Sequence, residues 1–400
     1  MTGKLVITKQ KGQIITALYE KQNLCELEFD SGLKRGGIGN IYVAKVKNIV
    51  KNINGAFVEI EDQMLCYYSL TDNKRPIFLN QKKDSVVKEG DLLLVQVQKE
   101  AMKTKLAGVT SYINLTGKYL VLTAGKCSIG ISNKIRFEEE RKRLKAIMQE
   151  KASKEYGWII RTNAEHIEKE RLLLEAKRLQ EQYEQMIEVA KFRTGGHLLY
   201  EAPRSYLTEL RDQNSGTFDR IVTDDSDIYQ EVKQYLTDYQ PEDLEKLEHY
   251  EDTMISLSAL LGLEKEIDEA LKERVWLKSG GYLIIQPTEA MVVIDVNTGK
   301  SVTKKKAKEH FKQINLEAAK EVARQLRLRN LSGIIIVDFI DMEDREDQEE
   351  LSQALRTFVA KDRIKTDVID MTKLNLVEIT RKKVKKPIYE QIREGGIKHV

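Results

Sequence analysis

The 400-residue chain carries 66 Lys and Arg against 63 Asp and Glu, a formal net charge of only +3, with 32% of its residues charged. That length suggests roughly two to four domains with ample core, and the near-balance of charge says little about partners except where charge gathers in blocks. Three scattered cysteines (Cys25, Cys66, Cys127) lack CxxC spacing, which argues against a disulfide framework and against structural zinc.

In chain order, "KLVITKQ", "GQIITALYE" and "LCELEFD" read as three short strands within residues 1–30. Residues 35–100, from "RGGIGNIYVAKVK" through a turn at "NING" to "DLLLVQVQKE", hold five or so strands at the spacing of a small antiparallel barrel. "GKYLVLTA" (117–124) and "GWIIRTNA" (157–164) are further strands around a charged helix near 137–152. A long helix is expected over about 165–193, its mixed charges forming a solvated face, followed by helix, turn, strand and helix over 206–236. From residue 280 the order becomes strand, strand, helix, strand, a βαβ unit with a parallel pairing and right-handed crossover. The amino terminus lacks the apolar core of a signal peptide, and no window approaches a membrane-spanning apolar length, so a cytoplasmic protein without a membrane span is expected.

Two of those strands end in the same way. "MVVIDVNTGKS" (291–301) runs from apolar residues into Asp295 and Asn297, and "IIIVDFIDM" (334–342) into Asp338 and Asp341. Ligands of open α/β sheets gather outside the carboxyl ends of parallel strands, and neighbouring strands lie roughly 5 Å apart. Asp295 and Asp338 can therefore share a hard cation such as Mg²⁺, with Asn297 beside them, although polar residues that merely end strands are the commoner case. Lys300 to Asn330 holds ten Lys and Arg against three Glu, a pattern that suits a polyanion beside such a site, although Arg324, Arg327 and Arg329 also suit a helix carboxyl terminus. In the barrel, Phe57 and Tyr67 fall on consecutive strands. They are either core residues or a surface on which single-stranded nucleic acid stacks, with Lys103 and Lys105 near its backbone.

The segments "GNIYVAKVKNIVKNINGAFVEI", "SGGYLIIQPTEAMVVIDVNTGK" and "NLEAAKEVARQLRLRNLSGIIIVDFIDM" closely resemble the ribonuclease E/G family of bacterial endoribonucleases, and the likeness extends to about residue 382. The resemblance implies a multidomain α+β fold. An RNase H-like domain (1–34 and 206–272) is interrupted by an S1, OB-type β-barrel (35–115) and a 5′-sensor region (116–205). A DNase I-like α/β catalytic domain (273–382) and a basic tail (383–400) follow.

The resemblance also implies site roles. Asp295 and Asp338 would hold a catalytic Mg²⁺, and Asn297 would orient the scissile phosphate. Phe57, Tyr67 and Lys105 would bind RNA, Tyr67 standing where the family often has Phe. Arg161 and Thr162 would grip a 5′-monophosphate, with Gly117 and Val121 forming the apolar side of that pocket. The alternative for Arg161 is an ordinary strand-end salt bridge. Family members commonly continue into a CPxCxG motif that links two chains through zinc, whereas "RKKVKKPIYEQIREGGIKHV" has no cysteine. Zinc, the zinc-linked dimer and the tetramer built on it are therefore not expected, while a homodimer through another surface stays open. The expected function is Mg²⁺-dependent cleavage of single-stranded RNA, mRNA or rRNA precursors, to 5′-phosphate and 3′-hydroxyl ends, favouring 5′-monophosphorylated substrates. The alternative is a non-catalytic RNA-binding or ribosome-associated protein that uses the S1 surface.

Overall fold

The β-branched runs at the amino terminus form three strands, β1 (Gly3–Gln10), β2 (Gln13–Glu20) and β3 (Asn23–Asp30), paired as antiparallel hairpins. Lys11 and Gly12 between the first two take φ of 49° and 82°, the conformation that matches the twist of a two-residue hairpin. The computed structural model describes residues 3–30, 32, 36–80, 86–101, 105–213, 216–299, 307–372 and 374–394. The chain divides into two units, Met1–Gly32 with Gly216–Val400, and Leu33–Ser215.

The inserted unit begins with β4 (Ile41–Val50), β5 (Gly55–Glu59), β6 (Leu65–Ser69), β7 (Ile77–Phe78), β8 (Leu92–Lys99) and β9 (Ala107–Thr110). Pairings β4–β5–β6–β9–β8 return to β4 and close a five-stranded barrel filled by Val46, Val58, Tyr68, Val95 and their neighbours. The sequence suggested an antiparallel barrel, but β6 and β9 are parallel. Strand direction cannot alternate all the way round a closed ring of odd number, so at least one pair must be parallel.

Next come β10 (Asn114–Thr116), β11 (Leu120–Ala124), β12 (Ile129–Ile131) and β13 (Tyr156–Ile160), which form a separate four-stranded sheet. Helices α1 (Glu138–Gln149) and α2 (Lys169–Ala190) cover it, with Leu144, Met148, Leu172 and Tyr183 packed among Leu122 and Trp158. The expected solvated helix is thus amphipathic: Leu172, Ala176, Leu179, Tyr183 and Met186 recur at helical spacing and are buried. The short β14 (Leu198–Tyr200) pairs with β4, and α3 (Ser205–Asp212) follows.

The chain then returns to the first unit with β15 (Arg220–Thr223), α4 (Ser226–Tyr239), β16 (Leu247–His249), α5 (Leu257–Leu260) and α6 (Leu263–Leu271). Asp225 caps α4 by accepting from the backbone N–H of Asp227 and Ile228. β15 and β16 extend the amino-terminal sheet in parallel, in the order β16-β15-β1-β2-β3.

A second sheet in this unit contains β17 (Arg274–Trp276), β18 (Tyr282–Pro287), β19 (Met291–Asn297), β20 (Gly333–Asp338), β21 (Thr366–Met371) and β22 (Leu376–Arg381), ordered β17-β18-β19-β20-β22-β21. The pair β19–β20 is parallel and is joined through α7 (Ala307–Leu328), as the sequence pattern indicated. With α8 (Arg345–Val359), α7 covers one face, where Ile294, Val296, Ile335 and Val337 pack on Ile314, Ala318, Val322 and Leu355. By strand alternation Val293, Asp295, Ile336 and Asp338 lie on the opposite face. Residues 383–400, read as a basic tail, carry α9 (Ile388–Glu394), whose Ile388 and Ile392 are buried with Leu27 and Phe29. Among the described residues no helix is long and apolar enough to cross a membrane.

Candidate active site

Asp295 and Asp338 are direct partners across the parallel β19–β20 pair, at the carboxyl ends of both strands and exposed on the open face of the sheet. Two residues along β19, Asn297 donates its amide to Asp295 Oδ2 at 2.7 Å and so fixes the orientation of that carboxylate. The strand end is held by close backbone approach. A Cβ on Gly299 would lie 2.1 Å from the Gly280 carbonyl oxygen, and φ there is +71°. Glu317 of α7 clamps the same turn by accepting from the N–H groups of Lys278 (2.7 Å) and Ser279 (3.1 Å).

Burial, then the neighbouring charges of Asp295 and Asp341, raise the Asp338 carboxyl above its ordinary range. Three acidic groups thus create a local negative potential. The donors are all oxygen, and two adjacent carboxylates suit a hard, partly hydrated cation better than zinc. Among the described residues no group of three or more His, Cys, Asp or Glu is placed to hold a metal by itself. The fit is therefore to an ion that keeps water or phosphate oxygens as further ligands.

Sequence reasoning missed Asn315. This buried α7 residue donates to the Ile340 carbonyl (2.7 Å) and accepts from the Ile340 N–H (3.0 Å), pinning the loop between Asp338 and Asp341. Asn375 likewise donates to Asp341 at 3.1 Å. An apolar helix face interrupted by one Asn in "INLEAA" was the available signal. Asn315→Leu should cost about 2–3 kcal/mol by leaving two backbone groups unpaired. Urea unfolding and cleavage assays should both register the loss.

The basic segment differs from its expected role. Lys308 pairs with Asp344, and Lys312 with Asp347 (2.8 Å) and Glu350 (2.7 Å), all from the acidic run that begins α8. Arg324 pairs with Glu321, and Arg327 with Glu20 and Glu26. These cations hold elements together on the helix-covered side, opposite the carboxylates. The start of the segment, 300–306, lies outside the described residues.

On the barrel, Phe57 and Tyr67 are direct cross-strand partners, and Tyr67 is also in register with Gly108 of β9. Both aromatic side chains are half-buried on the outer face, while their neighbours Val58, Cys66 and Tyr68 fill the interior. The two rings are therefore not part of the barrel core. Lys105 is exposed just before β9, and Lys103 lies outside the described residues.

Near the end of β13, Arg161 donates through Nη1 to the Gly117 carbonyl (2.6 Å) and through Nη2 to Asp212 (2.7 Å). The salt-bridge alternative is thus present, yet among the described residues the two bonds leave other guanidinium N–H groups open to an anion. Val121 is paired with Ile159 on the adjacent strands, half-buried beside this corner. Thr162 is turned to Ser132, with the hydroxyl oxygens 2.9 Å apart. Sequence reasoning missed Asp212 and Glu175. Burial works against ionisation of Asp212, but Arg211 and Arg161 outweigh it and hold its carboxyl below the usual range. Glu175 accepts from the N–H groups of Lys118, Tyr119 and Leu120 and thereby orders the turn that presents Gly117.

Residues 114–384 match the sequence model of the Ribonuclease E/G family. The chain is 34% identical over 398 residues to Ribonuclease G of Escherichia coli (strain K12), covering 97% of this chain and 81% of that protein. It is 36% identical over 383 residues to Ribonuclease G of Haemophilus influenzae, covering 93% and 78%. With Ribonuclease E of Nostoc sp. it shares 35% over 411 residues, covering 100% of this chain and 59% of that protein. This likeness across nearly the whole length means that the chain belongs to the ribonuclease E/G family.

Proposed function

We propose that this protein, an endoribonuclease of the ribonuclease E/G family, cuts single-stranded RNA by Mg²⁺-assisted hydrolysis at Asp295 and Asp338 and acts in RNA processing and decay. The observation that carries the reading is the in-register pairing of the two carboxylates at parallel strand ends on an open sheet face. Asp295 and Asp338 would hold the cation, and Asn297 keeps Asp295 aimed while, among the described residues, its other amide N–H is left for a phosphate oxygen. A bound Mg²⁺ would supply Lewis-acid stabilisation of charge on the phosphate and a more acidic water. In the reaction, a new bond forms between water oxygen and phosphorus as the P–O3′ bond breaks. The products are a 5′-phosphate downstream and a 3′-hydroxyl upstream.

The same proposal covers the domain reading. Residues 1–34 with 206–272 are RNase H-like, 35–115 form the S1 barrel, 116–205 the 5′-sensor and 273–382 the DNase I-like catalytic domain. Phe57 and Tyr67 stack bases, and Lys105 meets the backbone. Arg161, Thr162, Gly117 and Val121 receive a 5′-monophosphate, for which a guanidinium fork suits a dianion. The RNA it acts on would be an mRNA or an rRNA precursor.

A 5′-monophosphorylated, A/U-rich oligonucleotide incubated with Mg²⁺ should be cleaved, and a chelator should stop the reaction. RNA binding without cleavage would leave the RNA-binding alternative. Arg161→Ala should slow the monophosphorylated substrate about tenfold, the scale of one charge-assisted contact, and spare its 5′-hydroxyl counterpart. Equal slowing of both would remove Arg161 from the sensing role.

A further inference from the structure

The open face of the catalytic sheet carries more than its acids. At its edge, Trp276 of β17 and Tyr282 of β18 are cross-strand partners, with ring centroids 5.2 Å apart and planes at 61°. The Arg274 guanidinium stands 4.7 Å from the Tyr282 centroid and 5.6 Å from that of Trp276. Register places this group beside the carboxylates. Tyr282 is opposite Asn297, and Arg274 is opposite Ile284, which in turn is opposite Asp295. With strands about 5 Å apart, Trp276 stands about 10 Å from Asn297 along one row of the sheet.

Core packing does not account for the tryptophan. Trp276 is 64% exposed, whereas the chain's other tryptophan, Trp158, is 1% exposed. On this hairpin Leu283 and Ile285 fill the core from the helix-covered face. Among the described residues no carboxylate pairs with Arg274, so its charge faces the two rings and solvent. An exposed indole, a second ring set edge-on and an uncompensated guanidinium suit a flat, electron-rich π-system joined to an anion. That describes a nucleobase with its phosphate.

We propose that Trp276, Tyr282 and Arg274 form a platform that stacks an unpaired nucleobase of the substrate strand next to the scissile phosphate. The proposal rests on the reading of Asp295 and Asp338 as the catalytic carboxylates, and it adds a reason for single-strand preference. A base within a duplex has both faces covered by its neighbours and has none to offer the indole. Every base has a π-face, so the platform selects for unpaired structure more than for sequence.

The test uses the full chain and a short 5′-hydroxyl A/U-rich RNA in chelator, so that binding is read without turnover. The RNA should quench Trp276 fluorescence, leaving the buried Trp158 signal that Trp276→Ala retains. An abasic nucleotide beside the cleavage position should remove the quench. With Mg²⁺, Trp276→Ala should lower kcat/KM about tenfold through KM, the scale of one lost stacking contact, and Trp276→Phe should restore most of it. No quench in wild type, or equal kcat/KM for Trp276→Ala and Trp276→Phe, would overturn the proposal. So would unchanged RNA binding by Trp276→Ala with an altered light-scattering mass, which would assign the surface to a second copy of the chain. Quenching without any cleavage would sink the catalytic reading and leave the platform; cleavage without quenching would do the reverse.

Discussion

Asp338→Asn is expected to lower the rate of RNA cleavage roughly 100- to 1000-fold, the range for removing one preorganised charge-stabilising group, while RNA binding persists. The side chain keeps its size, so β20 and its register with β19 should be retained. The variant should also differ from wild type in stability, in the opposite sense. In wild type, burial and the charges of Asp295 and Asp341 raise the Asp338 carboxyl. An acid whose folded pKa is raised contributes favourably at low pH, and that contribution is lost as pH rises through the folded value.

In chelator at neutral pH, Asp338→Asn should therefore melt at a slightly higher temperature than wild type, with the gain fading on acidification. The site is open to water, so screening keeps the gain within about 1 kcal/mol. Mg²⁺ should raise the wild-type melting temperature by mass action and leave the variant nearly unmoved. A variant that cleaves normally would remove Asp338 from the metal site. Normal Mg²⁺ stabilisation would do so independently of activity.

The largest stability effect is expected at the other end of the same sheet. Arg381 closes β22 beside the start of β20, and its guanidinium meets Asp362 at 2.7 Å with 3% and 4% of the two side chains exposed. Arg381 also donates to Asn330 Oδ1 and the Leu331 carbonyl, and Asp362 accepts from Thr366 Oγ1 and the Ile364 N–H. Each nitrogen and oxygen of this pair's charged groups has a hydrogen-bond partner, so breaking one side strands a buried charge. Arg381→Ala should cost about 3–5 kcal/mol in denaturant unfolding, whereas Arg381→Met with Asp362→Leu should recover much of that loss. An Arg381→Ala chain as stable as wild type would contradict the reading. The carboxyl ends of β19 and β20 thus hold exposed like charges, and the opposite end holds a neutralised ion pair for cohesion.

Arg381 shows what local pattern could not reveal. In the sequence it opens the basic run "RKKVKK" and looks like surface charge; in the fold it is a buried tie. The same reversal applies to Lys308, Lys312, Arg324 and Arg327, whose acidic partners lie on or just before α8, on β2 and β3, or on their own helix. Charge counting sees an excess but not the distant carboxylate that cancels it. Asp212 and Glu175 were invisible, because each acts on backbone groups or side chains far away in sequence, and Asn315 left only a polar break in an apolar helix face. Trp276 and Tyr282 gave no signal because an edge hairpin shows which ring is exposed only after the sheet has chosen its covered face.

The sequence by itself determined the elements whose cause is local. Alternating and β-branched runs specified β1–β3, the barrel strands and the β19–α7–β20 unit. The acid after each apolar run marked Asp295 and Asp338 as strand ends. Tertiary structure alone decided that these two acids stand in the same row, because register depends on how α7 docks rather than on either strand. It also decided which cations are paired, since burial and pairing are set by partners that lie from 3 to 307 positions away.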